Sequence, residues 1–221
     1  MIMNAARNLF PALMATAMLA APLEAQDGEA IVGRAAQVYA SLGSLRAEFE
    51  QRIADSLIGT FDSKGSLVQA GQNLLAMRFS DPAGDAIIVD GRQVWVYTPS
   101  TAPGQVIRMP LPSGPVHGLN VLSWILDRPR ERYRIRYLRS EPVGGRTADV
   151  VELIPRSADM PFSKAIVWLD RGDALPRRLE ISERRGGTRT ITLSRIRTND
   201  RVSEAAFAFS VPDGVRIIDQ R

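Results

Sequence analysis

Cysteine is absent from all 221 residues, and histidine occurs once, as His117. The first absence excludes disulfides, a thiol nucleophile and a lipid-modified N-terminal cysteine. The second excludes a multi-histidine metal centre within one chain, and His117 itself falls in a Pro/Gly-rich loop where solvation explains it. No Gly-x-Ser-x-Gly turn presents a serine, and no glycine motif cradles a phosphate. Asp90, Asp170 and Asp213 each stand one or two residues before a glycine, where turn formation accounts for them. The expectation is a protein that is not an enzyme and has no cofactor and no metal. A carboxylate-pair or Ser123-dependent hydrolase is the minor alternative.

Long apolar runs are also scarce. One extends from Leu9 to Ala21 behind Arg7, stops at Pro22, and is followed by Leu23-Glu24-Ala25 before Gln26. A membrane span needs about 20 apolar residues, so residues 1–25 read as an export signal, with a retained anchor as the alternative. Residues 26–221 then make a single domain. The segment removed carries one Arg and one Glu, so the formal charge of +4 is unchanged by cleavage. Export to the periplasm of a Gram-negative cell separates the chain from nucleic acid. Its basic character, with a pI near 9.9, therefore points to an anionic membrane surface or an acidic partner protein.

The rest is mostly strand. Glu29 to Leu42 places Ile31, Ala35, Val38 and Leu42 on one helical stripe with Val32 and Tyr39 beside it, and Gly43 ends it. Period-two alternation starts at Leu45 and runs to Ile53. Leu57–Phe61 and Gly65–Ala70 read as two short strands around Asp62-Ser63-Lys64, and Leu74–Ser80 puts Leu75, Met77 and Phe79 on one face. Ile87 to Pro99 is a hairpin turning at Asp90-Gly91, with Val94 and Val96 on one side of its second strand and Trp95 and Tyr97 on the other. Gln105–Met109 makes a further strand.

Asn120 can cap a short helix, Val121–Leu126, which is apolar nearly all round and therefore has to be buried or cover a cavity. Beyond Pro129, arginines 130, 132, 134 and 136 alternate with Tyr133, Ile135 and Tyr137. That is a guanidinium row on a strand, read as a solvated face or as a docking surface for an acidic partner. Four more strands follow, Ala148–Ile154, Ser163–Leu169, Leu175–Glu183 and Thr188–Ile196, then the aromatic pair Phe207 and Phe209 and a last extended stretch. The fold class is mainly β: a curved antiparallel sheet forming an incomplete barrel, with short helices over its concave apolar face.

In order along the mature chain, Leu42-Gly43-Ser44-Leu45-Arg46-Ala47-Glu48-Phe49-Glu50-Gln51, Gly65-Ser66-Leu67, Ile87 to Pro99, Phe207-Ala208-Phe209 and Pro212-Asp213-Gly214-Val215 resemble the periplasmic outer-membrane lipoprotein carriers, the LolA-type family. The resemblance implies a monomeric carrier of acylated lipoproteins. It would receive them from an inner-membrane ATP-driven releasing complex and pass them to an outer-membrane acceptor lipoprotein or to the membrane itself. On that reading Leu75, Met77, Phe79, Trp95 and Tyr97 line an acyl groove, and Tyr39, Leu122, Trp124, Ile125 and Leu126 form its lid. A sensor of the same fold that recognises lipid or lipoprotein, or a carrier of another lipid, is the alternative.

One departure stands out. The family pattern has an Arg-Pro pair after the Gly-x-Leu strand, whose arginine bonds lid backbone, and an ungapped count from Gly65 places Gly71 and Gln72 there. Arg78 falls on the wrong face to replace it. Either hydrophobic contacts alone close the lid, or the chain is a diverged relative with another cargo.

Overall fold

The computed structural model describes residues 27–57, 59–71, 73–111 and 120–220. The export signal, His117 and Gln72 lie outside the described residues. Helix α1, Gly28–Ala40, begins where Asp27 accepts a hydrogen bond from the backbone N–H of Glu29 at 2.8 Å, which satisfies one of the free amides of the first turn. Val32 and Ala35 are its buried stripe, with Ile31, Val38 and Tyr39 packed at the margins.

The chain then lays down β1 (Ser44–Asp55), β2 (Gly59–Ala70), β3 (Leu74–Asp81), β4 (Ala83–Asp90), β5 (Gln93–Tyr97) and β6 (Gln105–Pro110). After α2 (Val121–Leu126) and α3 (Pro129–Arg132) come β7 (Tyr133–Val143), β8 (Arg146–Pro155), β9 (Phe162–Asp170), β10 (Pro176–Glu183), β11 (Thr188–Thr198) and β12 (Arg216–Asp219). All twelve belong to one curved open sheet, ordered β12-β6-β5-β4-β3-β2-β1-β11-β10-β9-β8-β7. Two antiparallel meanders, β1 to β6 and β7 to β11, therefore meet at the β1–β11 pair; β7 forms one edge of the sheet, and β12, laid beside β6, forms the other.

Three local expectations are corrected. The two strands expected over 57–70 are one, because every residue from Gly59 to Ala70 pairs with β1 in unbroken register. The last stretch is parallel to β6, so the sheet is not wholly antiparallel. The arginine row is broken: Pro129, whose fixed φ suits a first helical position, starts α3 and takes Arg130 and Arg132 off the strand.

Curvature separates two apolar faces. The concave one holds the main core, in which Leu45, Phe49, Leu67, Leu75, Val89, Val94, Val151 and Leu179 pack beneath α1 and α2. The convex face carries two smaller clusters, one around Ala76, Ala86, Ile88 and Phe207 and one around Ala148, Val150 and Trp168.

The β9–β10 turn is fixed electrostatically. Asp170, its side chain only 2 % exposed, accepts hydrogen bonds from the backbone N–H groups of Gly172 and Asp173 at 2.7 and 3.1 Å. Arg146 donates to both its oxygens, and the Arg177 guanidinium lies 3.6 Å away. The bond from Arg146, helped by the two amides and by Arg177, holds the Asp170 carboxyl well below the usual carboxylate range against the opposing effect of burial. A depressed carboxyl contributes stability that is present above its unfolded value near 3.8 and is lost as pH falls toward the folded value. Urea unfolding should therefore show stability falling below about pH 4. Asp170→Asn should cost on the order of 2 kcal/mol at neutral pH and flatten that acid loss.

Candidate functional site

The concave face is assembled by cross-strand rows. Leu75 lies opposite Val89 and Val89 opposite Val94, while Met77 lies opposite Ile87 and Ile87 opposite Val96. Directly opposed residues share a face, so Val94 and Val96 stand beside Leu75 and Met77. Phe79 joins them, packed edge-on against Phe49 with ring centroids 5.1 Å apart. Phe49 and Phe79 both pair with Gly65, where a Cβ would overlap the carbonyl oxygen of Arg78. Glycine there permits the close backbone approach.

Trp95 and Tyr97 are not on this face. They project from the convex side onto Phe209, at 5.4 and 5.7 Å between ring centroids, and Trp95 donates its indole N–H to Asp90 at 2.9 Å. Arg78, also convex, donates to the carbonyls of Ala206 and Ala208 at 3.3 and 3.1 Å and holds the Phe207–Phe209 segment against the sheet. The placement follows from a β-bulge: the β3–β4 register shifts by one between Arg78 and Ser80. Counting back from the Asp81-Pro82 turn without that shift pairs Met77 with Ala86 and hence with Tyr97. One extra residue exchanges the two faces.

The residues expected in the lid do come together over the concave face. Leu122, Trp124, Ile125 and Leu126 are at most 4 % exposed and share the main core with Leu75 and Met77. Trp124 lies against Phe162 at 6.1 Å. Helix α2 is short, six residues, but bonded at both ends. At its start Asn120 accepts the Ser123 N–H at 3.1 Å and donates its side-chain amide to Gln69 Oε1 at 3.3 Å. The same Gln69 oxygen accepts the Tyr39 hydroxyl from α1 at 2.7 Å, and Gln69 Nε2 donates to the carbonyl of Gly71 at 3.1 Å. At its end the Trp124 carbonyl accepts the Tyr133 hydroxyl at 2.9 Å and Arg132 Nη1 at 3.4 Å.

This arrangement answers the departure at Gly71. That residue has φ +55°, in the left-handed region that disfavours an arginine side chain. Two residues earlier, Gln69 faces inward beside Leu67 and ties both helices to the sheet, so α1 and α2 are not held there by hydrophobic contacts alone. The signal for it was present: Gln69 is the polar interruption of an inward-facing alternation. A guanidinium does reach lid backbone, but it is Arg132, from α3, which also approaches Asp127 at 3.4 Å and the Met160 sulfur at 3.3 Å. Among the described residues no cluster of three or more His, Asp or Glu side chains could hold a metal ion. No described helix is long and apolar enough to cross a membrane.

The sequence profile described as "Outer membrane lipoprotein carrier protein LolA" matches residues 40–210. The chain belongs to the LolA family. An outer-membrane lipoprotein carrier protein of Shewanella woodyi is 24 % identical over 223 residues, covering 97 % of each chain. An uncharacterized conserved protein of Thermus thermophilus shares the fold with a TM-score of 0.56 and 12 % identity, over 87 % of this chain and 98 % of that one. So does a chain in the MucA/MucB complex of Pseudomonas aeruginosa, with a TM-score of 0.51 and 16 % identity, over 87 % of this LolA-family chain and 63 % of that one.

Burial of the Tyr39 hydroxyl, opposed by its bonds to Gln69 and Asn120, pushes its pKa from 10.0 up to about 12. For an acid raised in this way the stabilisation is whole below the unfolded value of 10.0 and is lost as pH rises toward about 12. Titration of tyrosine absorbance should show a group ionising near pH 12 that Tyr39→Phe removes, although Tyr133 is raised to about 12 as well and has to be replaced in a parallel variant.

Proposed function

We propose that this LolA-family protein is a periplasmic carrier that shields lipoprotein acyl chains beneath α1 and α2 and moves them from the inner to the outer membrane. In this proposal an inner-membrane ATP-driven complex loads it, and an outer-membrane lipoprotein or the membrane itself unloads it. The observation that carries the reading is the apolar concave face of Leu75, Met77 and Phe79, covered by α1 and α2, which are tied to the sheet by a few hydrogen bonds. At about 0.8 kcal/mol per methylene, one long acyl chain in water costs on the order of 10 kcal/mol. A cargo of that kind needs an escort whose apolar surface is itself covered when empty. Met77 suits varied chains because its thioether adapts in shape. Leu122, Trp124, Ile125 and Leu126 are the side chains that an acyl chain would displace.

A second reading, a regulatory module that binds lipoprotein or lipid, draws on the fold shared with the MucA/MucB structure. The two differ in what leaves a membrane. Excess mature protein is added to lipoprotein-loaded inner-membrane vesicles with ATP, and the soluble fraction is weighed by native mass spectrometry. A one-to-one complex with acylated lipoprotein is expected. Free phospholipid in its place points to another cargo, and no bound lipid, with vesicles that respond to a known carrier, favours the regulatory module.

Removing the clasp should bias the lid open. Gln69→Leu removes the acceptor that the Tyr39 hydroxyl and the Asn120 amide share in the closed state, leaving them only each other, which should tighten binding of a fluorescent fatty acid by severalfold. Unchanged affinity would detach Gln69 from lid closure.

A further inference from the structure

Away from the concave face, a cleft of about 480 Å³ runs between the outer side of α1 and α3. Arg34, Arg128 and Arg130 line it with Glu131, and Arg128 is taken up by that carboxylate at 3.5 Å and by Asp127 at 3.6 Å. Arg34 donates only to a neutral acceptor, the Gly172 carbonyl, at 3.1 Å. Arg130 has no hydrogen-bond or ion-pair partner among the described residues. Its guanidinium lies along α1 at Gly33, where an added Cβ would stand 3.5 Å from Nη2.

We propose that this cleft docks an acidic, extended segment of a partner protein. Planar guanidinium groups match carboxylates in paired hydrogen bonds, and here two of them, Arg34 and Arg130, face no carboxylate of this chain among the described residues. A peptide can enter a recess. A bilayer is flat and needs apolar side chains beside the basic ones, whereas among the described residues the large exposed apolar side chains, Leu57, Phe61 and Ile217, belong to β2 with its preceding turn and to β12. Of the guanidinium row expected on one strand, Arg130 lines this cleft, whereas Arg132 is turned inward and Arg136 pairs with Glu152 at 3.0 Å. Because the cleft is walled by α1 and α3, a docked segment would touch both supports of the lid.

The test uses the full mature chain and a fluorescein-labelled poly-glutamate peptide, followed by anisotropy, with poly-glutamine as the control. Poly-glutamate should bind at low ionic strength and weaken markedly by about 0.3 M salt, where charges further apart than a few ångströms are screened. Arg34→Glu combined with Arg130→Glu should lower the affinity by about tenfold or more, while Arg197→Glu on β11 should leave it unchanged. Circular dichroism and fatty-acid binding in the double variant should match the parent, which separates failure here from failure of the carrier proposal. Absence of poly-glutamate binding, equal loss with Arg197→Glu, or a double variant that loses binding to phosphatidylglycerol vesicles but keeps the peptide would overturn the inference.

Discussion

The sheet's two edges lie at opposite ends of its strand order, and consecutive strands β6 and β7 occupy, or adjoin, those opposite ends. The connection between them has to cross an open face, and that single constraint explains α2 and α3. A crossing over the concave, apolar side is stable only if it is itself apolar and satisfies its own backbone, which a short helix does. Helix α2 is that crossing. It therefore cannot leave the sheet as a free lid could, because both of its ends continue into the chain that builds the two halves. On the carrier proposal it would lift between its ties, Asn120 on Gln69 at one end and Tyr133 and Arg132 on the Trp124 carbonyl at the other.

The two kinds of contact under the lid have different consequences. Apolar packing among Leu122, Ile125, Leu75 and Met77 is strong but undirected, and another apolar body can replace it with little change in free energy. The Tyr39–Gln69–Asn120 bonds are directional and buried, so they are lost outright unless the partners find water or each other. The first kind makes the concave face adaptable. The second gives the empty protein one closed arrangement.

Much of the fold was legible from residue patterns because its signals are local. The α1 stripe, the α2 cap at Asn120, the Asp90-Gly91 hairpin and the strand alternations all fall where the physics of single elements puts them. Failures came wherever the outcome depended on a register between distant segments. Trp95 and Tyr97 change sides because of a one-residue bulge on β4 between Ala83 and Ala86, opposite Phe79, which no propensity at Trp95 or Tyr97 announces. Strand β12 docks parallel to β6 across more than a hundred residues. Gln69 was readable as an anomaly, a polar residue in an inward row, but its partners Tyr39 and Asn120 are 30 and 51 residues away and meet it only when both helices are in place.

The dry closed face also limits how tightly any apolar guest could be held. A guest that enters must first lift side chains that are already buried to within a few per cent, so its gain on leaving water is offset by what the lid loses. The net affinity is then the difference between two large apolar terms plus the smaller polar term at Gln69. Small changes in the lid's ties move that difference in either direction, because they act only on the closed state. On the carrier proposal, a sheet that crosses its own open face with a tethered apolar helix would bind its guest exchangeably, and the residue at position 69 would set where the balance lies.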